Sequence, residues 1–180
     1  MILNTKYFDL EETVGKSISN GYLFEDFEPG RVFRHHWGRT LLASDNMIFC
    51  SDTMQYNPLY FNVEYARSLG YRDIPIHPLF VMNVAGGMSV EDMSEGQGKG
   101  GIFLGVDNVR IIKTSYPGDT ITSSSEILER YLKTDQPGWG VVTWRTRAVN
   151  QRGETVIEFD KSNLVACEDA STEVKTGVQS

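Results

Sequence analysis

Hydrophobic and polar positions follow two different regimes along the chain. In the second half, residues 120–133 alternate polar and apolar side chains with β-branched enrichment, the pattern of a half-buried strand. Residues 102–112, 141–149 and 154–167 also read as strands. The turns between them are Pro117-Gly118-Asp119, Asp135-Gln136-Pro137-Gly138 and Asn150-Gln151-Arg152-Gly153. In the first half, Glu28-Pro29-Gly30 is a turn, and residues 31–39 read as one strand with Val32, Phe33 and Trp37 as its apolar members. A short helix then runs to about Met54, with Ser44 or Asp45 as its cap, and Asn57-Pro58 breaks it. Asn62 caps a second short helix over 63–69, which Gly70 ends. Residues 79–88 are apolar nearly all round, which predicts a buried helix, and Gly86-Gly87 within it would let a sheet approach closely. Residues 94–101 are a flexible loop. Strands segregated from helices predict an α+β domain built on an antiparallel sheet.

Composition narrows the function classes. The chain has 180 residues, 17 basic and 24 acidic side chains and a formal net charge of −7. One domain of that size buries roughly 70% of its unfolded surface, enough for a core without staples. The acidic balance argues against nucleic acid as a partner. No stretch approaches the ~20 apolar residues that span a bilayer, and the N-terminal residues lack the pattern of a signal peptide, so the expected location is the cytoplasm. Cys50 and Cys167 read as buried free thiols. His35, His36 and His77 are too few and too scattered for a zinc site, so neither a metal nor a cofactor is expected. Residues 1–20 read as a poorly fixed arm and residues 169–180 as a disordered tail.

Several pieces in order carry a family resemblance over residues 21–168. They are Phe24-Glu25-Asp26-Phe27-Glu28-Pro29-Gly30, Arg39-Thr40 through Asp45, Asn57-Pro58-Leu59-Tyr60-Phe61-Asn62, Gly70-Tyr71, Ile76-His77 before the apolar helix, and Tyr116-Pro117-Gly118-Asp119-Thr120. Together they resemble the MaoC-like acyl-CoA hydratase/dehydratase family, and within it the branch of mesaconyl-CoA and itaconyl-CoA hydratases. The resemblance implies a single hot-dog domain, an antiparallel sheet wrapped around a long central helix. It also implies a homodimer or larger homo-oligomer, and a hydro-lyase acting on the α,β double bond of an acyl thioester, CoA-bound or carrier-bound, with no nucleic-acid or membrane partner.

The implied catalytic motif, Asp-x-Asn-Pro-x-His, is altered. Gln55 stands at the aspartate position and Tyr60 at the histidine position, while Asn57 and Pro58 are retained. Gln55 cannot act as a base but can hold a water or a carbonyl. Tyr60 reads either as a packed loop residue or as a site hydroxyl. His77 reads either as a helix-entry residue bonded to backbone or as the acid–base group that compensates for the missing histidine. The helix start is expected to offer N–H groups to a thioester carbonyl, and with Pro78 lacking one, Leu79 and Phe80 are the remaining donors. The candidate catalytic set is therefore Tyr60, Gln55 and His77, with Asn57, Leu79 and Phe80 as substrate-binding residues. Asp52 reads as solvated or capping, the loop over 96–101 as a possible substrate lid, and Arg110, Lys113 and Lys161 as candidate partners for CoA phosphates. Two other readings stay open: different chemistry on the same scaffold (an isomerase, a thioesterase or a carrier-bound dehydratase), and a non-catalytic acyl-thioester binder or partner subunit.

Overall fold

The computed structural model describes residues 21–35, 37–94 and 101–170. The expected arm, the loop over 95–100 with its lid role, His36 and residues 171–180 of the expected tail lie outside the described residues. The strands are β1 (Val32–Arg34), β2 (Arg39–Thr40), β3 (Gly101–Ile111), β4 (Thr120–Leu132), β5 (Trp139–Asn150) and β6 (Thr155–Ala166). They form one antiparallel sheet in the order β1-β4-β5-β6-β3, with β2 also on β4. The helices are α1 (Ala43–Asp52), α2 (Val63–Ser68) and α3 (Pro78–Ser89). Single 3-10 turns occur at Phe24–Asp26 and Pro58–Tyr60, and a π turn over Val90–Ser94 continues α3.

The sheet wraps α3 as the resemblance implied, giving the hot-dog fold. Val81, Val84 and Ala85 of α3 pack with Ile76 against Leu41, Ile121, Ala148, Val156, Ile157 and Phe159. A second cluster, built on Phe27, Phe33, Ile127, Val142, Trp144 and Met93, fills the other end of the concave face. Phe27 and Trp144 stack there at 6.2 Å. At about 25 cal/mol per Å² of apolar surface removed from water, side chains this size each contribute roughly 1.5–3 kcal/mol.

Several expectations are corrected. The strand expected over 31–39 is two short pieces. Arg34 faces Ser124 and Arg39 faces Ile121, so β4 takes fewer steps than its partner and the chain between them bulges. His35 is buried in that bulge, bonded to Asp92 Oδ2 through Nδ1 (2.8 Å) and to Ser125 Oγ through Nε2 (2.9 Å). Asp45 does not cap α1: Leu42 is the N-cap residue, and Asp45 in the first turn pairs with Arg39 at 2.9 Å. The all-round apolar helix is buried on one side only, with Leu79, Asn83 and Gly87 exposed. A Cβ added at Gly87 would meet nothing within 4 Å, and one at Gly86 would make ordinary contact with Phe159, so close approach of the sheet does not require the glycine pair. Of the tail expected over 169–180, Ala170 is instead buried in a cluster with Trp139 and Leu23. Asn62 caps α2 as expected, accepting from the Glu64 and Tyr65 N–H groups.

Carboxylates lock the sheet's outer face and its turns. Arg145 grips Asp160 with two nitrogens (2.7 and 2.9 Å), and Arg147 and Arg110 both reach Glu158. The Arg145 and Arg147 pairs face each other across β5 and β6, and the Arg110 pair across β3 and β6. Asp119 is buried between two turns, accepting from the Tyr116 N–H, Gln151 and Arg152. Burial pushes its carboxyl up, but those donors and the Arg152 charge outweigh it and hold the carboxyl below its usual range. Hydrogen bonds from Arg145 lower Asp160, and those from Arg147 lower Glu158. Lys113, Asn150 and Arg152 take Glu154 down to about 2.

Each of these groups has a folded pKa below its unfolded value of about 4. Their stabilisation is therefore present above that value and is lost as pH falls through the folded values. Thermal melts should show a Tm that falls steadily below about pH 4 as these carboxylates are protonated. A Tm that holds down to pH 2 would contradict the assignment.

Candidate active site

The site is assembled where the chain leaves α1, turns through residues 55–62 and arrives at α3. Asn57 accepts a hydrogen bond from the Leu59 N–H (3.0 Å) and so shapes the 3-10 turn over Pro58–Tyr60. That turn delivers the Tyr60 ring to the His77 imidazole, with ring centroids 4.6 Å apart. Phe49 also packs against the imidazole, with ring centroids 5.4 Å apart. Two of the three candidate catalytic residues thus meet. Gln55 stays exposed on the loop, its backbone N–H donating to the Cys50 carbonyl (2.8 Å).

His77 is also the N-cap of α3. Its Nδ1 accepts from the Leu79 N–H at 3.2 Å, and its carbonyl accepts from the Phe80 (3.0 Å) and Val81 (3.2 Å) N–H groups. This corrects the expected role of Leu79 and Phe80: both N–H groups are engaged within the helix start, not open to a thioester carbonyl. The two readings of His77 merge. The cap requires a lone pair on Nδ1, which places the proton of the neutral ring on Nε2. Burial pushes the His77 pKa down, so the ring stays neutral at physiological pH.

Tyr60 is pushed the other way. Burial raises its phenol first, and the proximity of Cys50 and Tyr71 raises it further. The phenol therefore keeps its proton and serves as a donor or relay, not as a standing base. At neutral pH the pair presents two protons: the Tyr60 hydroxyl and the His77 Nε2–H.

Beside the pair lies a cavity of about 140 Å³, lined by Tyr60, Tyr71, Pro78, Lys113, Ser115 and Ile157 among others. None of its described lining residues is a carboxylate. Asp52, at the end of α1, is exposed and is not among them. The candidate phosphate-binding cations are already committed: Lys113 pairs with Glu154, Arg110 pairs with Glu158, and Lys161 is buried with its Nζ 5.4 Å from the Trp144 ring centre.

Sequence reasoning passed over Asn46. Its side chain, 1% exposed, accepts from the His77 N–H (2.7 Å) and donates to the Pro75 carbonyl (3.3 Å), tying α1 to the start of α3. The available signal was a polar residue at the inward position of a helix, four residues before Cys50.

The mesaconyl-CoA hydratase family model matches residues 5–179. The chain belongs to that family. It is 29% identical over 146 residues to the mesaconyl-CoA hydratase of Haloarcula hispanica, covering 81% of this chain and 40% of that protein. It is 31% identical over 150 residues to the beta-methylmalyl-CoA dehydratase of Chloroflexus aurantiacus, covering 83% of this chain and 41% of that protein. Among solved structures, a MaoC domain protein dehydratase from Chloroflexus aurantiacus superposes with a TM-score of 0.77 at 29% identity, covering 92% of this chain and 46% of that one. The chain thus spans about two fifths of the length of these curated relatives.

Removing the Asn46 side chain leaves the His77 N–H and the Pro75 carbonyl buried without that partner. Asn46→Ala should cost about 2–3 kcal/mol in urea unfolding. A loss below about 0.5 kcal/mol, the range of an ordinary surface change, would show that Asn46 does not hold the site.

Proposed function

We propose that this chain catalyses reversible hydration of the α,β double bond of a short acyl-CoA thioester, the class of reaction named in its relatives. The observation that carries the reading is the contact of Tyr60 with His77 beside a cavity of acyl size. CoA is the proposed carrier because the relatives are named for CoA thioesters.

The altered pair divides the work differently from an Asp–His pair. The His77 Nε2–H donates a hydrogen bond to the thioester oxygen and holds the charge that develops there when a hydroxyl adds at the β carbon. A preorganised neutral imidazole does this without losing its own proton. Tyr60 relays: its oxygen accepts a proton from the attacking water while its own proton passes to the α carbon. The hydroxyl ends on the β carbon, one proton on the α carbon, and tyrosine is restored. Dehydration runs the same steps backwards. Asn57 shapes the turn that carries Tyr60, and the proposed role of the exposed Gln55 is to hold the incoming water.

A second reading, an acyl-thioester binder without turnover, is favoured by one observation: the cavity has the Tyr60 hydroxyl as a proton donor but no carboxylate among its described lining residues. We also propose a homodimer. β3 is an edge strand carrying exposed Ile102, Phe103, Leu104 and Ile111, and the relatives hold about twice this length in one chain. The cytoplasm is the proposed compartment, supported by the buried free thiol of Cys50.

Mesaconyl-, itaconyl- and crotonyl-CoA, followed at the enoyl absorbance, test the activity. Turnover of at least one is expected, with Tyr60→Phe lowering kcat by about 100-fold or more and changing KM little. Absence of turnover with all three, combined with thermal stabilisation by the same compounds, would replace the hydratase reading with the binder. Light scattering should give twice the chain mass; a monomer would overturn the dimer.

A further inference from the structure

Lys161 is a cation that the fold does not balance. It lies on β6 directly opposite Trp144 of β5, on the inner face of the sheet, and is 8% exposed. Lysines buried to that depth are ordinarily paired with a carboxylate. The other lysines of the described chain are paired: Lys113 with Glu154 and Lys133 with Asp135. Among the described residues no hydrogen bond or ion pair reaches the Lys161 ammonium. The carboxylates next to it on β6 are already taken, Asp160 by Arg145 and Asn108, and Glu158 by Arg147 and Arg110.

Two rings set the position of the amine. Its Nζ lies 5.4 Å from the Trp144 ring centre and 6.0 Å from that of Phe103. Trp144 belongs to the core, whereas Phe103 is on the edge strand β3 and is 59% exposed. The amine therefore sits between the core and the rim of the sheet. The side-chain atoms that are both sealed and unbonded among the described residues are Ser115 Oγ, Trp144 Nε1 and Asn163 Oδ1. Lys161 Nζ is not one of them, so this unbonded nitrogen keeps an opening. Burial pushes the amine below the ordinary lysine value, so at neutral pH more of it is free base than in a solvated lysine. A desolvated lysine amine is an activated nucleophile.

We propose that Lys161 is an N-acylation site, whose amine takes the acyl group of an acyl thioester that reaches it past Phe103. The free amine attacks the thioester carbonyl carbon, the carbon–sulfur bond breaks, and the proton lost by nitrogen goes to the departing thiolate. The product is a neutral amide, which replaces a buried, unpaired charge with a group that a ring-lined site holds at lower cost. Lys113 and Lys133 react less readily, because their carboxylate partners hold the proton on nitrogen. A second copy paired on β3 would meet the backbone edge of that strand, whereas the amine lies on the inner face of the sheet. The assignment does not rest on the hydratase reading, since acylation uses no double bond.

Site-resolved acylation rates test it on the unaltered protein. The folded chain is incubated at neutral pH with acetyl-CoA or with S-acetyl-N-acetylcysteamine, which lacks the nucleotide, and acetylation of each lysine is followed by peptide mass spectrometry. With at least one of the two thioesters, Lys161 should react about fivefold or more faster than Lys113 and Lys133. A lead with the smaller thioester alone sustains the site and limits the size of its donor. In urea, where all three amines are solvated and unpaired, the lead should vanish. Equal rates at the three lysines of the folded protein would overturn the proposal and make Lys161 an ordinary amine. A Lys161 that lags behind the other two, or reacts only in urea, would also overturn it and make the amine a sealed core group.

Discussion

The bond from the Leu79 N–H to His77 Nδ1 governs both the fold near the site and its chemistry. Pro78 removes one N–H from the start of α3, His77 Nδ1 satisfies the next, and the His77 carbonyl takes the two after that. A helix start completed in this way has no donor to spare for a substrate. It also fixes the imidazole tautomer, so the donor function passes from backbone to the side-chain Nε2–H. The helix end still favours negative charge nearby, and the Nε2–H gives that preference a hydrogen atom to act through.

The surroundings hold this arrangement from three sides. Asn46 fixes the His77 backbone from α1, Phe49 and Tyr60 enclose the ring, and the Ile76–Ser115 backbone bond anchors the entry segment to the chain leaving β3. Asp119 then secures that chain by bonding both its own turn and the β5–β6 hairpin turn. A buried carboxylate in the adjoining turn thus contributes to the placement of Ser115 and, through Ile76, of His77. This coupling accounts for a motif such as Tyr116-Pro117-Gly118-Asp119 in a site whose chemistry it does not touch.

Much of the fold was legible because it follows from local periodicity and turn chemistry. The alternation over 120–133, the hairpin turn at Asn150–Gly153 and the Asn62 cap depend on nearest neighbours, and each appears close to where the residues place it. The bulge between β1 and β2 was hidden, because it arises from mismatched steps between strands more than 80 residues apart. The half-exposed face of α3 was hidden for a related reason: an apolar stretch does not reveal which of its sides meets the sheet. In the site, the altered motif pointed to Tyr60 and His77, and they meet. Asn46 went unnoticed because a buried polar side chain is recognised by its depth and partners, which residue identity does not encode. The Leu79 N–H was misjudged because it is taken by a histidine side chain, and the Phe80 N–H because it is taken by the His77 carbonyl in the first turn.

The central claim is that His77 is a neutral cap whose proton lies on Nε2. The ¹⁵N chemical shifts of the His77 ring, followed from pH 8 to pH 5 by NMR, test it directly. The account predicts a protonated Nε2 and an unprotonated Nδ1 at neutral pH, with titration below the ordinary histidine value of about 6.5. A protonated Nδ1 at neutral pH, or a pKa above that value, would contradict it.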